Sequence, residues 1–411
     1  MNSPKQPSLV TLLEQKLQQQ SKVLAKGQED HYRIWQGQCS PYSYKVMTYM
    51  NYKGIPYKRV NANMAELEWA KQVAGQSIVP ILLTPDDQVM QDSTPIIEYF
   101  ENKYSEISTI PDNNKLAFIM WLIEDFSDEY MTRMQMYTRW GNEQNRQTIS
   151  HKIARNILYG IPGMQVKDIA PVILNRQSTF NIHLGLESDE TKANMDQQVL
   201  DLLAILEQHF EHHQFLLGFK PSIADFALYG PLKIHLYDDP QSNQILETKA
   251  PRTVQWLHTI MEFGDTRGCV GQTEFGDWLD INNGCPESLS ALLCFIAKTY
   301  ITLGNTTVAA ANAKEKAFEA NIYGVNAKFS THQYRVWAFE QVQLRYQNLT
   351  DNEQAELLPL LKQTEIMPSL MENGIVHSTL FDGFTPPFIK NGIPDARIKY
   401  LKEKGKKIKQ V

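Results

Sequence analysis

From Tyr32 to Tyr104 the apolar residues switch repeatedly between the two-residue and the helical period. Tyr32-Arg33-Ile34-Trp35 predicts a short strand. Gln36-Gly37-Gln38 then turns the chain into Cys39-Ser40-Pro41. Over 42–53 apolar residues recur at Val46, Met47, Tyr49 and Met50, a helical spacing that Gly54 closes. Pro41 suits the first turn of that helix, where its missing N–H would have no partner. After Gly54-Ile55-Pro56 the pattern predicts a strand over 57–60 and a helix over 64–74, with Leu67 and Val73 inward and Trp69 partly so. Ile78-Val79-Pro80-Ile81-Leu82-Leu83 is an apolar strand interrupted by a proline, which removes a ladder donor. A cis Val79–Pro80 bond at the start of the strand reconciles the two. Asp86-Asp87 turns the chain back into Val89-Met90-Gln91. Asp92-Ser93-Thr94-Pro95 then starts a helix, with Asp92 or Ser93 as its cap.

Over 111–264 the strand period disappears. A long helix is predicted over 116–137, with Glu124, Asp125, Asp128 and Glu129 in its middle, of which Asp128 and Glu129 read as a solvated acidic face. Gly160-Ile161-Pro162-Gly163 breaks the chain, and 195–209 is a further amphipathic helix. Ser222 and Asp225 have the spacing of a helix capping box. Beyond 264 comes an irregular stretch, then a strongly apolar helix over 289–313 that reads as too short and interrupted to span a bilayer. Helices over 334–346 and 355–362 follow, with caps at Thr350 and Asp351. The whole of 266–411 is expected to be a helical extension with a solvated basic tail. Residues 1–30 read as an appended amphipathic helix without a secretory signal.

Composition narrows the function. The 411 residues are 42% hydrophobic and 21% charged, with a net charge of −6, which argues against a nucleic-acid binder. Cys39, Cys269, Cys285 and Cys294 form no CxxC pair, so reduced thiols in the cytoplasm are expected, and no metal site. His209, His212 and His213 read as a solvated helix end. Cys39 and Ser40 carry the candidate chemistry: a thiol and a hydroxyl at a helix N-terminus, where free N–H groups and the helix dipole favour an anion. The plain alternative makes Ser40 an N-cap and Cys39 a small buried hydrophobe.

Three pieces in order, CSPYSYKVMTYMNYKGIPY, IVPILL and MQDSTPIIEYFENKY, resemble the thioredoxin-like domain of a soluble glutathione S-transferase. The capping box after FLLGF and the VQWLHTIMEF helix resemble the all-helical second domain of that family. The resemblance implies an α+β multi-domain chain. A thioredoxin-like α/β domain (31–105) is followed by an all-α domain (111–265) and by further helices. It also implies glutathione as co-substrate, an apolar small-molecule electrophile and a possible homodimer; that no membrane span is expected follows from the length of the apolar runs. By residue, the glutathione-binding roles fall on Tyr42, Val79, Pro80, Asp92 and Ser93. Asp92 departs from the Glu or Gln of many members. Ser222 and Asp225 have a folding role. In theta- and omega-type members the active group lies fourteen residues before the Gly of a KGI-like turn, which lands on Ser40, with Cys39 next to it and expected to face the strand end. Ser40 would steady a glutathione thiolate, whereas Cys39 would give a glutathione-dependent thiol-disulfide reductase. The long extension leaves open a non-catalytic binding or assembly module.

Overall fold

Strand β1 (Tyr32–Gln36) is buried at every position and has neighbours on both sides. It runs parallel to β2 (Tyr57–Asn61), with Ile34 opposite Arg59, and antiparallel to β3 (Ile81–Leu83), with Ile34 opposite Leu82. β4 (Val89–Gln91) returns beside β3. The parallel pair is joined through α1 (Pro41–Tyr52), as a parallel crossover requires. α2 (Ser93–Lys103) follows β4. This is the thioredoxin-like arrangement expected from the sequence. The outer edge of β4 is covered by a two-residue strand from the far end of the chain, Phe388–Ile389, with Met90 opposite Phe388. Covering that edge removes an open row of backbone donors and acceptors.

The computed structural model describes residues 31–64, 66–68, 78–86, 88–161, 163–179, 183–263, 276–378, 380 and 387–389. The helix expected over 1–30, the basic tail and most of the helix expected over 64–74 lie outside the described residues.

The helical part begins with α3 (Asn114–Asp125), a π turn (Phe126–Tyr130) and α4 (Met131–Trp140), which together extend the helix expected over 116–137 at both ends. α5 (Glu143–Ile157), α6 (Val166–Ser178), α7 (Asp189–His209), α8 (Ile223–Pro231), α9 (Pro240–Lys249) and α10 (Pro251–Glu262) complete it. The capping box at the start of α8 is present. Asp225 accepts the backbone N–H groups of Ser222 and Leu216 at 2.9 Å each and the indole N–H of Trp256 at 3.2 Å. Burial raises its carboxyl to about 6 against those hydrogen bonds.

Three expectations are corrected here. His209 is not at a solvated end. It is 1% exposed, its ring lies within hydrogen-bond distance of Ser288 Oγ and the Phe215 carbonyl, and burial lowers it to about 4. The apolar helix of the extension is not interrupted. α11 (Glu287–Ile296), a π turn (Ala297–Ile301) and α12 (Thr302–Asn312) run on as 26 residues, long and apolar enough to cross a bilayer, but 67% of the apolar window is buried inside the protein. Nor is the extension all helix. β5 (Ala317–Ile322) and β6 (Val325–Ser330) form a hairpin that buries Phe318, Ala320, Ile322, Ala327 and Phe329 on one face. α13 (Gln333–Gln347) and α14 (Asp351–Gln363) follow the hairpin.

One apolar core runs through all three parts. Phe126 meets Phe295 edge-on at 6.1 Å between ring centroids, Phe118 meets Tyr346 at 5.5 Å, and Tyr300 meets Phe339 at 5.8 Å. The extension therefore packs directly on α3 and the π turn that follows it. That packing brings the start of α13 over the thioredoxin-like domain.

Candidate functional site

The site is built where α1 and α2 start, at the same end of the sheet. Ser40 is the N-cap of α1, its Oγ accepting the N–H of Ser43 at 3.2 Å. The same hydroxyl donates to the Val79 carbonyl at 3.3 Å. Val79–Pro80 is cis, in line with the sequence expectation. α2 begins after Asp92, a non-glycine residue at φ +79°, a sparsely populated conformation of the kind that marks functional sites.

Tyr42, Val79, Pro80, Asp92 and Ser93 line one cavity of about 330 Å³. The five residues assigned to ligand binding from sequence therefore converge. Ser40 is not one of the residues that line this cavity; it is tied to one of them, Val79, by that hydrogen bond. Cys39 does not join them: it packs against the cluster of Trp140, Ile149, Ala154, Ala170 and Ile173 rather than at the strand end. Burial pushes its thiol up, with Arg139 and Lys152 opposing. A half-buried thiol with a raised pKa is a poor nucleophile.

The remaining lining was not foreseen. Asp128 and Glu129 face the cavity from the π turn, so their solvated-face reading is corrected. Lys45, buried on α1, is the reason. Its ammonium pairs with Glu124, lies 2.6 Å from Asp128 and 3.0 Å from Thr94 Oγ1, and draws both carboxylates inward. Asp125 is drawn in elsewhere, by the hydroxyl of Tyr300. A lysine next to the apolar positions of α1 was the available signal, since a buried cation needs an acid partner. Burial raises Asp128 to about 7, with Lys45 opposing and Glu124 adding to the rise. Burial also raises Glu129 to about 7, opposed by Arg335 and reinforced by Asp128. Ser93 Oγ donates to Asp128 at 3.3 Å, so the start of α2 already faces a carboxylate. His332, Tyr334 and Arg335 at the start of α13, and Leu380 beyond it, close the cavity from the extension. The Tyr334 hydroxyl donates to Asp92 at 2.8 Å. No local pattern around 332–335 points to the thioredoxin-like domain, because the contact is made across 242 residues of chain.

Among the described residues no group of three or more metal-ligating side chains is present.

Two segments of the chain match models of one family. Residues 38–108 match the family model described as glutathione S-transferase, N-terminal domain, and residues 166–263 match glutathione S-transferase, C-terminal domain. The isoprene-epoxide–glutathione S-transferase of Rhodococcus sp. (strain AD45) is 25% identical over 231 residues, covering 54% of this chain and 91% of the relative. Among solved structures, the β-etherase LigF of Sphingobium sp. strain SYK-6 aligns over 56% of this chain and 98% of its own, with 20% identity and a TM-score of 0.41. A glutathione transferase of Methylobacillus flagellatus KT with glutathione bound aligns over 57% and 98%, with 17% identity and a TM-score of 0.36.

Proposed function

As this chain belongs to the glutathione S-transferase family, we propose that it is a glutathione transferase that conjugates the glutathione thiolate to an apolar electrophile. The observation that carries this reading is the convergence of Tyr42, Val79, Pro80, Asp92 and Ser93 on one cavity, with the Ser40 hydroxyl bonded to the carbonyl of Val79. The cysteinyl backbone of glutathione would pair with Val79, which brings its sulfur to Ser40. The hydrogen that Ser40 now gives to the Val79 carbonyl would pass to the sulfur, while Oγ goes on accepting from Ser43. One hydrogen bond to a charged acceptor is worth about 1.5–3 kcal/mol, and each pKa unit is about 1.4 kcal/mol, so the bound thiol would lose about one to two units. The thiolate attacks the electrophilic carbon, whose leaving group or opened oxygen takes the electron pair, and water supplies the proton. No general base is needed once the thiolate is stabilised.

The domain division, with 1–30 appended, 31–105 binding glutathione, 111–265 holding the co-substrate and 266–411 as an extension, belongs to this proposal, as do a cytoplasmic location and a homodimer. The thiol-reductase alternative has less support, because Cys39 is packed away from the cavity.

The test is conjugation to a small apolar epoxide, the electrophile class named by the Rhodococcus relative, and to an aryl halide. Turnover that falls roughly 10-fold or more in Ser40→Ala, as loss of that hydrogen bond requires, and persists in Cys39→Ala supports the reading. Disulfide reduction that depends on Cys39, with Ser40→Ala fully active, replaces it with the reductase. Absence of both activities with retained glutathione affinity leaves the binding-module reading.

A further inference from the structure

Arg335 lies in the first turn of α13, outside both matched family segments. It is 6% exposed and lines the cavity, and neither its Nε nor its Nη1 has a hydrogen-bond partner. Glu129 faces the same cavity from the π turn, and the two charges act on each other. Yet among the described residues Arg335 forms no ion pair, and Glu129 accepts no hydrogen bond. Gln91, 3% exposed on β4, also lines the cavity with both amide atoms unpartnered. A buried guanidinium left unpaired is costly, and a guanidinium fork matches a carboxylate with two parallel hydrogen bonds. The neighbouring acids are already engaged: Lys45 holds Glu124 and Asp128, and the Tyr334 hydroxyl holds Asp92. What remains is one cation and one anion, on different elements, facing a common space with no hydrogen bond or ion pair between them. That is the complement of a ligand carrying both charges on one carbon.

On the reading that the cavity holds glutathione, we infer that Arg335 binds the α-carboxylate of the γ-glutamyl residue and Glu129 binds its ammonium. Gln91 is placed to serve either group, with its carbonyl for the ammonium and its amide N–H for the carboxylate. The extension thus supplies a ligand contact that neither matched domain segment contains. Asp92, to which the sequence resemblance gives the ammonium, becomes the anchor for Tyr334 instead.

Calorimetry on the full chain separates these roles with three ligands: glutathione, its 4-aminobutyryl analogue lacking the α-carboxylate, and its glutaryl analogue lacking the ammonium. The wild-type protein is expected to prefer glutathione over each analogue by roughly 10- to 100-fold, the scale of one lost charge partner in a desolvated site. In Arg335→Met the preference over the 4-aminobutyryl analogue collapses toward one while the preference over the glutaryl analogue persists. In Glu129→Gln the pattern reverses. Arg335→Lys, which keeps the charge without the fork, retains part of the carboxylate preference. A residue with only a structural role would weaken all three ligands alike, and that result overturns the inference. So does unchanged discrimination in Arg335→Met by a protein that still binds glutathione, which leaves the transferase reading intact. If the wild-type protein binds none of the three, the transferase reading falls and the inference falls with it.

Discussion

The hydroxyl of Tyr334 donates to the carboxylate of Asp92 across 2.8 Å, tying the first turn of α13 to the residue that starts α2. The contact is half-buried, and Asp92 holds it at a positive φ. A hydrogen bond to a charged group contributes about 1.5–3 kcal/mol. Tyr334→Phe is therefore expected to lower unfolding stability by that amount in urea titrations. A midpoint equal to that of the wild-type protein would show that the extension does not rely on this contact.

Lys45 neutralises two buried carboxylates, Glu124 and Asp128. Removing one partner of a buried pair costs about 3–5 kcal/mol, because the charges left behind have no compensation. Lys45→Met is expected to be destabilised on that scale, and adding Glu124→Gln and Asp128→Asn to it should restore part of the loss. If Lys45→Met is as stable as wild type, the buried triad is not what turns this acidic face inward.

The acids at the cavity give stability a definite pH dependence. Burial raises Asp128 and Glu129 to about 7 in the folded chain, against about 4 in an unfolded one. The folded state therefore binds their protons more tightly. The stability they contribute is full below about pH 4 and is lost as pH rises through about 7. His209, lowered to about 4 by burial, acts oppositely: its contribution is present above about pH 6.5 and lost as pH falls through about 4. The two effects separate by difference. Wild type is expected to lose stability relative to Glu129→Gln as pH rises from about 5 to about 8. A difference that stays flat over that window would contradict the raised carboxyl.

Gly230 on α8 touches the site's own helix. A Cβ there would stand 2.6 Å from the Pro41 carbonyl oxygen, a backbone atom with no room to yield. Gly230→Ala is expected to cost about 1–3 kcal/mol through overpacking. It should also weaken glutathione binding, because the displaced first turn of α1 carries Ser40. Stability and affinity both at wild-type values would mean that the two helices part without moving the site.

How much of this was legible follows from where each contact comes from. The helix after Pro41, the proline-led strand, the helix start at Asp92-Ser93 and the Ser222–Asp225 box are all set by neighbours within a few residues, and each stands as expected. The inward turn of Asp128 needed the knowledge that Lys45 packs against it from another element. The β5–β6 hairpin was visible in the alternation of Phe318, Ala320 and Ile322 before Tyr323-Gly324, which turn at positive φ, yet the apolar helix before it favoured a helical reading of the whole extension. Arg335, Tyr334 and His332 carry no local mark of a site. Only the shared core of α13 with α3 brings them there, through pairs such as Phe118 with Tyr346.

The central claim is that the cavity lined by Tyr42, Val79, Pro80, Asp92 and Ser93 takes glutathione. Isothermal titration of glutathione into the full-length protein tests it most directly, with Ser93→Ala, which removes a hydroxyl from the start of α2, as the comparison. Saturable binding at one site per cavity, weakened in Ser93→Ala by about 1–3 kcal/mol, is the expected result. A folded protein that gives no saturable heat with glutathione would contradict the account.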